Sequence, residues 1–209
     1  MSNKPVFVIA AEVAAELNRG MEVAKRLLLV ASNARALALR AGESAAGFRP
    51  ITDSIDDLVR VTLEASNRIN IQAQQLSKIA TAGTRSGTAV ERFEHVYQRA
   101  KGANHLDSLN EVRANNLKEY RDISQRFSHE AKGLHEGLKT LYDELRIAQI
   151  ISTMLSVEAS QADEKYQAQL NTIADSVTQL AETIQAHVLQ SLKLFSIFAK
   201  VNYAIKSTI

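Results

Sequence analysis

Leu134-His-Glu-Gly-Leu138-Lys-Thr-Leu141-Tyr-Asp-Glu-Leu145-Arg-Ile-Ala148 sets an apolar side chain at every third or fourth residue. That alternation has the average period of a helix seam that faces other helices along its whole length. The same phase extends back through Ala131, Phe127, Ile123, Tyr120 and Leu117 to Leu109 and Leu106, with one polar slot at Arg113. It extends forward through Ile151, Leu155 and Ala159 to Ala162. A run this long without a breaker exceeds an ordinary globular helix and suits a coiled coil.

Three further segments carry the same period. One is Leu170, Ile173, Val177, Leu180, Ile184, His187, Ser191, Leu194, Phe198, Val201 and Ile205. A second is Val6, Ala10, Val13, Leu17, Met21, Ala24, Leu28, Ala31, Ala34 or Arg35, and Ala38. A third is Phe48, Ile51, Ile55, Leu58, Thr62, Ala65, Ile69, Ala73, Leu76 and Ile79. The fold expected is all-α, a long antiparallel four-helix bundle made of two helical hairpins. Residues 1–101 form the first hairpin, with its tip near 43–47, and 102–209 the second, with its tip near 163–168.

Pro5 suits the first turn of helix 1, with Ser2 or Asn3 as its cap. Gly42 and Gly47 allow positive φ at the bend that follows, and Pro50 is tolerated in the first turn of helix 2. Thr81-Ala-Gly-Thr-Arg-Ser-Gly-Thr88 is a point where helix 2 could break or kink, ahead of a further helical piece over about 89–101. Residues 102–107 read as a loop, with Asn104 or Asp107 capping helix 3. Helix 3 is expected to run unbroken to about Asp163, and helix 4 from about Gln167 to Lys206. The path of residues 82–125, outward from the bundle or folded back on it, stays open at this level.

Composition agrees with helices and excludes much else. The chain has 209 residues with 8 Gly and 2 Pro, too few turn formers for a barrel, a sandwich or a βαβ array. It has no Cys, so disulfides, thiolate zinc sites and Cys nucleophiles are ruled out. The formal net charge of +2 and the lack of a basic stripe give no case for nucleic acid. The most apolar stretch, Val188 to Ile205, is broken by Lys193 and Lys200, so no transmembrane segment is expected and the protein reads as cytoplasmic. Residues 1–104 are net basic and residues 105–209 net acidic, which favours association of the halves.

No phosphate loop, dinucleotide turn, HExxH or Glu-x-x-His is present, and His129 and His135 are spaced off a common helix face. No metal or cofactor is therefore expected. His187, on an apolar series, reads as a half-buried side chain bonded across the bundle. Asp53, Asp56 and Asp57 read as favourable charge at a helix N-terminus. A greasy C-terminal end (Phe195, Phe198, Val201, Tyr203, Ile205) is expected to pack against Val6 to Ile9.

The two bends can be superposed. Ala38-Leu-Arg-Ala-Gly-Glu43 lies against Ala159-Ser-Gln-Ala-Asp-Glu164, then Phe48-x-x-Ile51-x-Asp53-Ser54-Ile55 against Leu170-x-x-Ile173-x-Asp175-Ser176-Val177, the second bend being one residue longer. The segment Asn33-Ala-Arg-Ala-Leu-Ala-Leu-Arg40-Ala-Gly-Glu43-Ser-Ala-Ala-Gly47-Phe48 resembles the hairpin tip of bacterial chemoreceptors, the methyl-accepting chemotaxis proteins. Val157 to Glu164, followed by Leu170 to Ala181, is a weaker second likeness.

The resemblance implies a signalling bundle whose tip touches the histidine kinase CheA, the coupling protein CheW and neighbouring tips. It points to Asn33, Arg40, Glu43 and Phe48, with Glu158 and Glu164 in the second copy, as partner-binding residues. The chain departs from the family at Ala45 and Ala46 (a Gly and an Arg there), at Leu37 (a Glu there), and at Lys25, Ser32 and Pro50, which occupy apolar positions. The implied protein is a monomer mimicking a receptor dimer, or a homo-oligomer, and not an enzyme. Two alternatives stand beside it: a structural or regulatory helical bundle unrelated to chemotaxis, and a helical-bundle phosphatase of a response regulator. The phosphatase would pair an acidic group with an amide, as Asp175 and Gln179 could.

Overall fold

The computed structural model describes the backbone of residues 6–104 and 106–206, and side chains from 8 to 196 except 10, 44 and 105. It contains α1 (Val6–Ala41), α2 (Phe48–Arg99), α3 (Asn110–Glu144), α4 (Ile147–Gln161) and α5 (Glu164–Lys206), with 3-10 turns at Gly42–Ala45 and Leu106–Leu109. No strand occurs among the described residues. The protein is an all-α bundle. No described helix is long and apolar enough to cross a membrane. The capping of α1 at Ser2, Asn3 and Pro5, and the packing of Phe198, Val201, Tyr203 and Ile205, lie outside the described residues.

α1 packs on α2 and α5, α2 also on α3 and α4, and α5 also on α3 and α4, which closes a ring around one axis. α3 and α4 together form one side of that ring. The buried apolar set follows the seam: Leu134, Leu138, Leu141, Leu145, Ala148, Leu155, Ala159 and Ala162 face inward as the period requires. On α2 the positions Phe48, Ile55, Ile69, Ala73 and Leu76 do the same. Hydroxyls that fall on the seam bond locally: Thr62 donates to the Leu58 carbonyl at 2.7 Å and Thr52 to the Arg49 carbonyl at 2.7 Å. Ser152 pairs with Thr178 across the α4–α5 seam and donates to the Ala174 carbonyl at 3.2 Å.

Two seams differ from the sequence reading by one residue. Leu28 was expected inside and is 39% exposed, while Leu27 is buried. On α5, Ala174, Ala181, Val188 and Phe195 are buried, whereas Ile173, Leu180 and Leu194 are half-buried. The reason is steric. The core mixes small and large side chains on each helix, Ala24, Ala31, Ala34 and Ala38 beside Leu17 and Leu27 on α1, and Ala174 and Ala181 beside Val188 and Phe195 on α5, so a seam can turn by one residue and still fill the centre.

Four boundaries also differ. α2 does not break at Thr81–Thr88: Thr81, Thr84 and Thr88 each return a hydroxyl to the carbonyl four residues back. Gly83 and Gly87 let α3 approach, since a Cβ there would meet Ile123 at 3.3 Å and Tyr120 at 3.1 Å. The long helix ahead of residue 163 is interrupted at Leu145–Arg146, where Arg146 N–H bonds the Asp143 carbonyl and Ala148 N–H the Leu145 carbonyl, both at 3.2 Å in 3-10 fashion. Neither Asn104 nor Asp107 caps α3, whose cap position is Leu109 with no side-chain bond. The second turn is Ala162–Asp163, so residues 165–168 of the expected tip belong to α5, and the turn is shorter than residues 42–47 rather than longer. Extended backbone at Ala162, with ψ 162°, makes that abrupt reversal, whereas Gly42 at φ 65° opens the first.

Between Ala80 and Leu134 no apolar side chain is buried, and there α2 and α3 continue outward as a two-helix extension. Near its far end Arg113 bonds Glu94 at 2.5 Å and lies 4.5 Å from the Tyr97 ring centre. The Gln98 amide first, and the Arg113 guanidinium second, hold the Glu94 carboxyl below its ordinary range. A depressed carboxyl stabilises the folded form above its unfolded value, and this contribution is lost as pH falls through the lower folded value. Acidification through the carboxylate range, followed by circular dichroism, should therefore cost the wild type more helicity than Glu94→Gln; an equal loss would contradict the assignment.

Gly20 and Gly133 lie inside helices with ordinary space around them. A Cβ at Gly20 would meet His187 at 3.7 Å, and one at Gly133 would meet nothing within 4 Å. Gly20→Ala and Gly133→Ala should each stabilise the fold by about 0.5–1 kcal/mol, measured as a rise in Tm.

Candidate interaction surface at the turn end

The two turns lie at one end of the bundle. Tyr166, in the first turn of α5, donates its hydroxyl to the Arg40 carbonyl at 3.3 Å. The Glu158 carboxylate lies against Gly47, where a Cβ would overlap it. Gly47 is the cap residue of α2, so the carboxylate sits at the positive end of that helix. Gly47 does not take the positive φ expected of it, standing at φ −64°; a side chain there would displace the Glu158 carboxylate, which is what asks for glycine.

Of the residues singled out from the sequence, Asn33, Arg40, Glu43 and Glu164 are exposed, and Glu158 is half-buried. Arg40, Glu43 and Glu164 all lie at the turn end; Asn33 lies about two helical turns further down α1. Phe48 must be corrected. It is 0% exposed, the first core residue of α2, packed in the same cluster as Ala45 and Ala159. A partner can reach Arg40 and Glu43 but not Phe48, because the ring closes the end of the apolar axis. Ala45, at the family's Gly position, is likewise buried, and Ala46 is exposed.

The aspartates at the start of α2 bind across the seam. Arg35 of α1 reaches Asp53 and Asp56, each at 2.7 Å, and Asp57 takes Arg60 at 3.0 Å. Asp56 first, then Asp53, hold the Arg35 guanidinium above its ordinary value. All are substantially exposed, so the pairs set register more than stability. His187 is half-buried at the α1–α5 seam with Nδ1 2.8 Å from Glu16 Oε2, bonded across the bundle as its place in the period suggested. Asp175 and Gln179 lie on the exposed face of α5.

One feature of this end escaped the sequence reading. Every exposed residue of α4, from Ile147 to Gln161, is uncharged, and Ile147, Ile150, Met154 and Val157 are 51%, 61%, 49% and 51% exposed. The exposed residues of α1 from Leu28 to Leu39 are uncharged too. On α2 the exposed set from Arg49 to Glu64 includes Arg49, Asp53, Asp57, Arg60 and Glu64. The period leaves Ile147, Ile150, Met154 and Val157 off the seam, but how far each stands in solvent is set only by the neighbours in the folded bundle.

Comparison with family models, curated proteins and solved structures returned no match to this chain.

Burial separates two kinds of residue at this end. Phe48→Ala should cost about 3–5 kcal/mol by chemical denaturation, since it empties the end of the core. Arg40→Ala and Glu43→Ala should stay within about 0.5 kcal/mol of wild type. Comparable losses at all three would refute this division.

Proposed function

We propose that the chain is a chemoreceptor-like interaction protein that binds the chemotaxis kinase CheA or the coupling protein CheW through its turn end. The reading is one of binding rather than catalysis. It rests on a single observation: two turns at one end, with Arg40, Glu43 and Glu164 exposed there. The residues Asn33 to Phe48 that resemble a receptor tip build the first of these turns, with Asn33, Arg40 and Glu43 outward. In this reading one polypeptide stands in for a receptor pair, α1 with α2 as one half and α3–α4 with α5 as the other.

The burial of Phe48 and Ala45 favours a second reading, a structural or regulatory bundle unrelated to chemotaxis. Both residues are then explained by packing alone. Affinity capture with purified kinase and coupling protein separates the two. Wild type should retain one of them, and Arg40→Ala and Glu43→Ala should reduce retention several-fold at unchanged helicity. No retention by wild type would leave the second reading standing.

A further inference from the structure

The two turns are built unequally. Gln167 staples the second, its Nε2 donating to the Ala162 carbonyl at 2.9 Å and to the Ser160 carbonyl at 3.4 Å. Backbone bonds add to this: the Tyr166 N–H reaches the Asp163 carbonyl at 2.8 Å and the Ala162 N–H the Ala159 carbonyl at 3.3 Å. Among the described residues no side chain of the first hairpin bonds to this turn. The first turn has no staple of its own. Gly42 stands at φ 65°, and neither the 3-10 turn nor the start of α2 has a side-chain cap. Its Ala46 and Arg49 N–H groups reach the Glu43 and Ala46 carbonyls at 3.3 Å.

What the first turn lacks comes from the second hairpin, on both of its limbs. From α4, the Glu158 carboxylate lies on Gly47, at the positive end of α2. Next to it in sequence, Ala159 shares the buried cluster with Ala45 and Phe48. From α5, Tyr166 donates to the Arg40 carbonyl at 3.3 Å, in the last turn of α1, where carbonyls have no helical partner. The Tyr166 ring packs on the apolar core, and the Lys165 ammonium stands 5.2 Å from its centre. One tie thus holds the limb entering the first turn and the other the limb leaving it. The exposed side chains of Arg40 and Glu43 stand on the stretch so held.

We infer that the second turn is a clamp on the first. Glu158 and Tyr166 are positioning residues that fix the turn presenting Arg40 and Glu43, and Glu158 is not itself a partner contact. The two stretches that resemble a receptor tip then differ in role, one presenting and one bracing. A partner at Arg40 and Glu43 is taken from the proposed function, on which this division of roles rests; the clamp itself needs no partner.

Amide hydrogen exchange on the full chain, read by NMR, tests the clamp with no partner present. Glu158→Ala/Tyr166→Phe should speed exchange of the Ala46 and Arg49 amides about tenfold at unchanged helicity. The same variant should leave the Ala162 amide of the second turn within about twofold of wild type. Gln167→Ala should do the reverse, speeding Ala162 and sparing Ala46 and Arg49. Unchanged exchange at Ala46 and Arg49 in the double variant overturns the clamp. Equal acceleration at all three amides overturns it too, since that marks general loosening of this end. Capture on the kinase or coupling protein forms a separate arm. Where wild type is retained, the double variant should lose retention several-fold with Arg40 and Glu43 intact, and full retention overturns the positioning role. The exchange pattern without retention of wild type upholds the clamp and removes the chemotaxis reading alone.

Discussion

The shared apolar core of the bundle is the constraint on which the rest depends. α1 supplies Ala24, Ala31, Ala34 and Ala38 to it, and α4 supplies Ala148 and Ala159. These small residues sit beside large ones, Leu17 and Leu27 on α1, Ile151 and Leu155 on α4, and Phe48, Ile55 and Ile69 on α2, and together they fill the core. Complementary size in each layer fixes which helix lies beside which.

From that packing follows a division of the surface. The helices entering the turns, α1 and α4, bury alanines beside larger residues such as Leu17, Leu27, Ile151 and Leu155, and also carry leucine, isoleucine, methionine and valine outward. The helices leaving the turns, α2 and α5, hold most of the outward charge near this end, including Asp53, Asp57, Arg60, Glu164 and Lys165. Neutral and charged faces therefore alternate around the rod. A rod built this way is sticky along two lines and solvated between them, a pattern suited to lateral contacts rather than to a pocket.

The far half of the molecule obeys another economy. Past Ala80 the α2–α3 pair has no third helix to complete a core, so Tyr120, Ile123 and Phe127 stay half-buried. Close approach at Gly83 and Gly87, and polar links such as Glu94 with Arg113, take over from deep burial. Interactions of that kind give less stability than an apolar layer, and local opening of the extension should precede that of the bundle.

Much of the architecture was legible in the chain alone. The seven-residue phase from Leu134 to Ala162 and from Phe48 to Leu76 survives burial almost residue by residue, because a helix seam repeats the same geometry each turn. His187 could be placed on a seam by its position in the series, though not its partner Glu16, which is distant in sequence and near only after the chain folds. Phe48 shows the opposite case: motif likeness marked it as a contact, and three-dimensional packing put it at the end of the core. The interruption at Leu145–Arg146 carries no proline or glycine, so no local signal announces it. Periodicity determined that the protein is helical and where each helix hides its apolar side. Only the tertiary structure decided which apolar residues remain outside, because that depends on how many neighbours each helix has and how close they come.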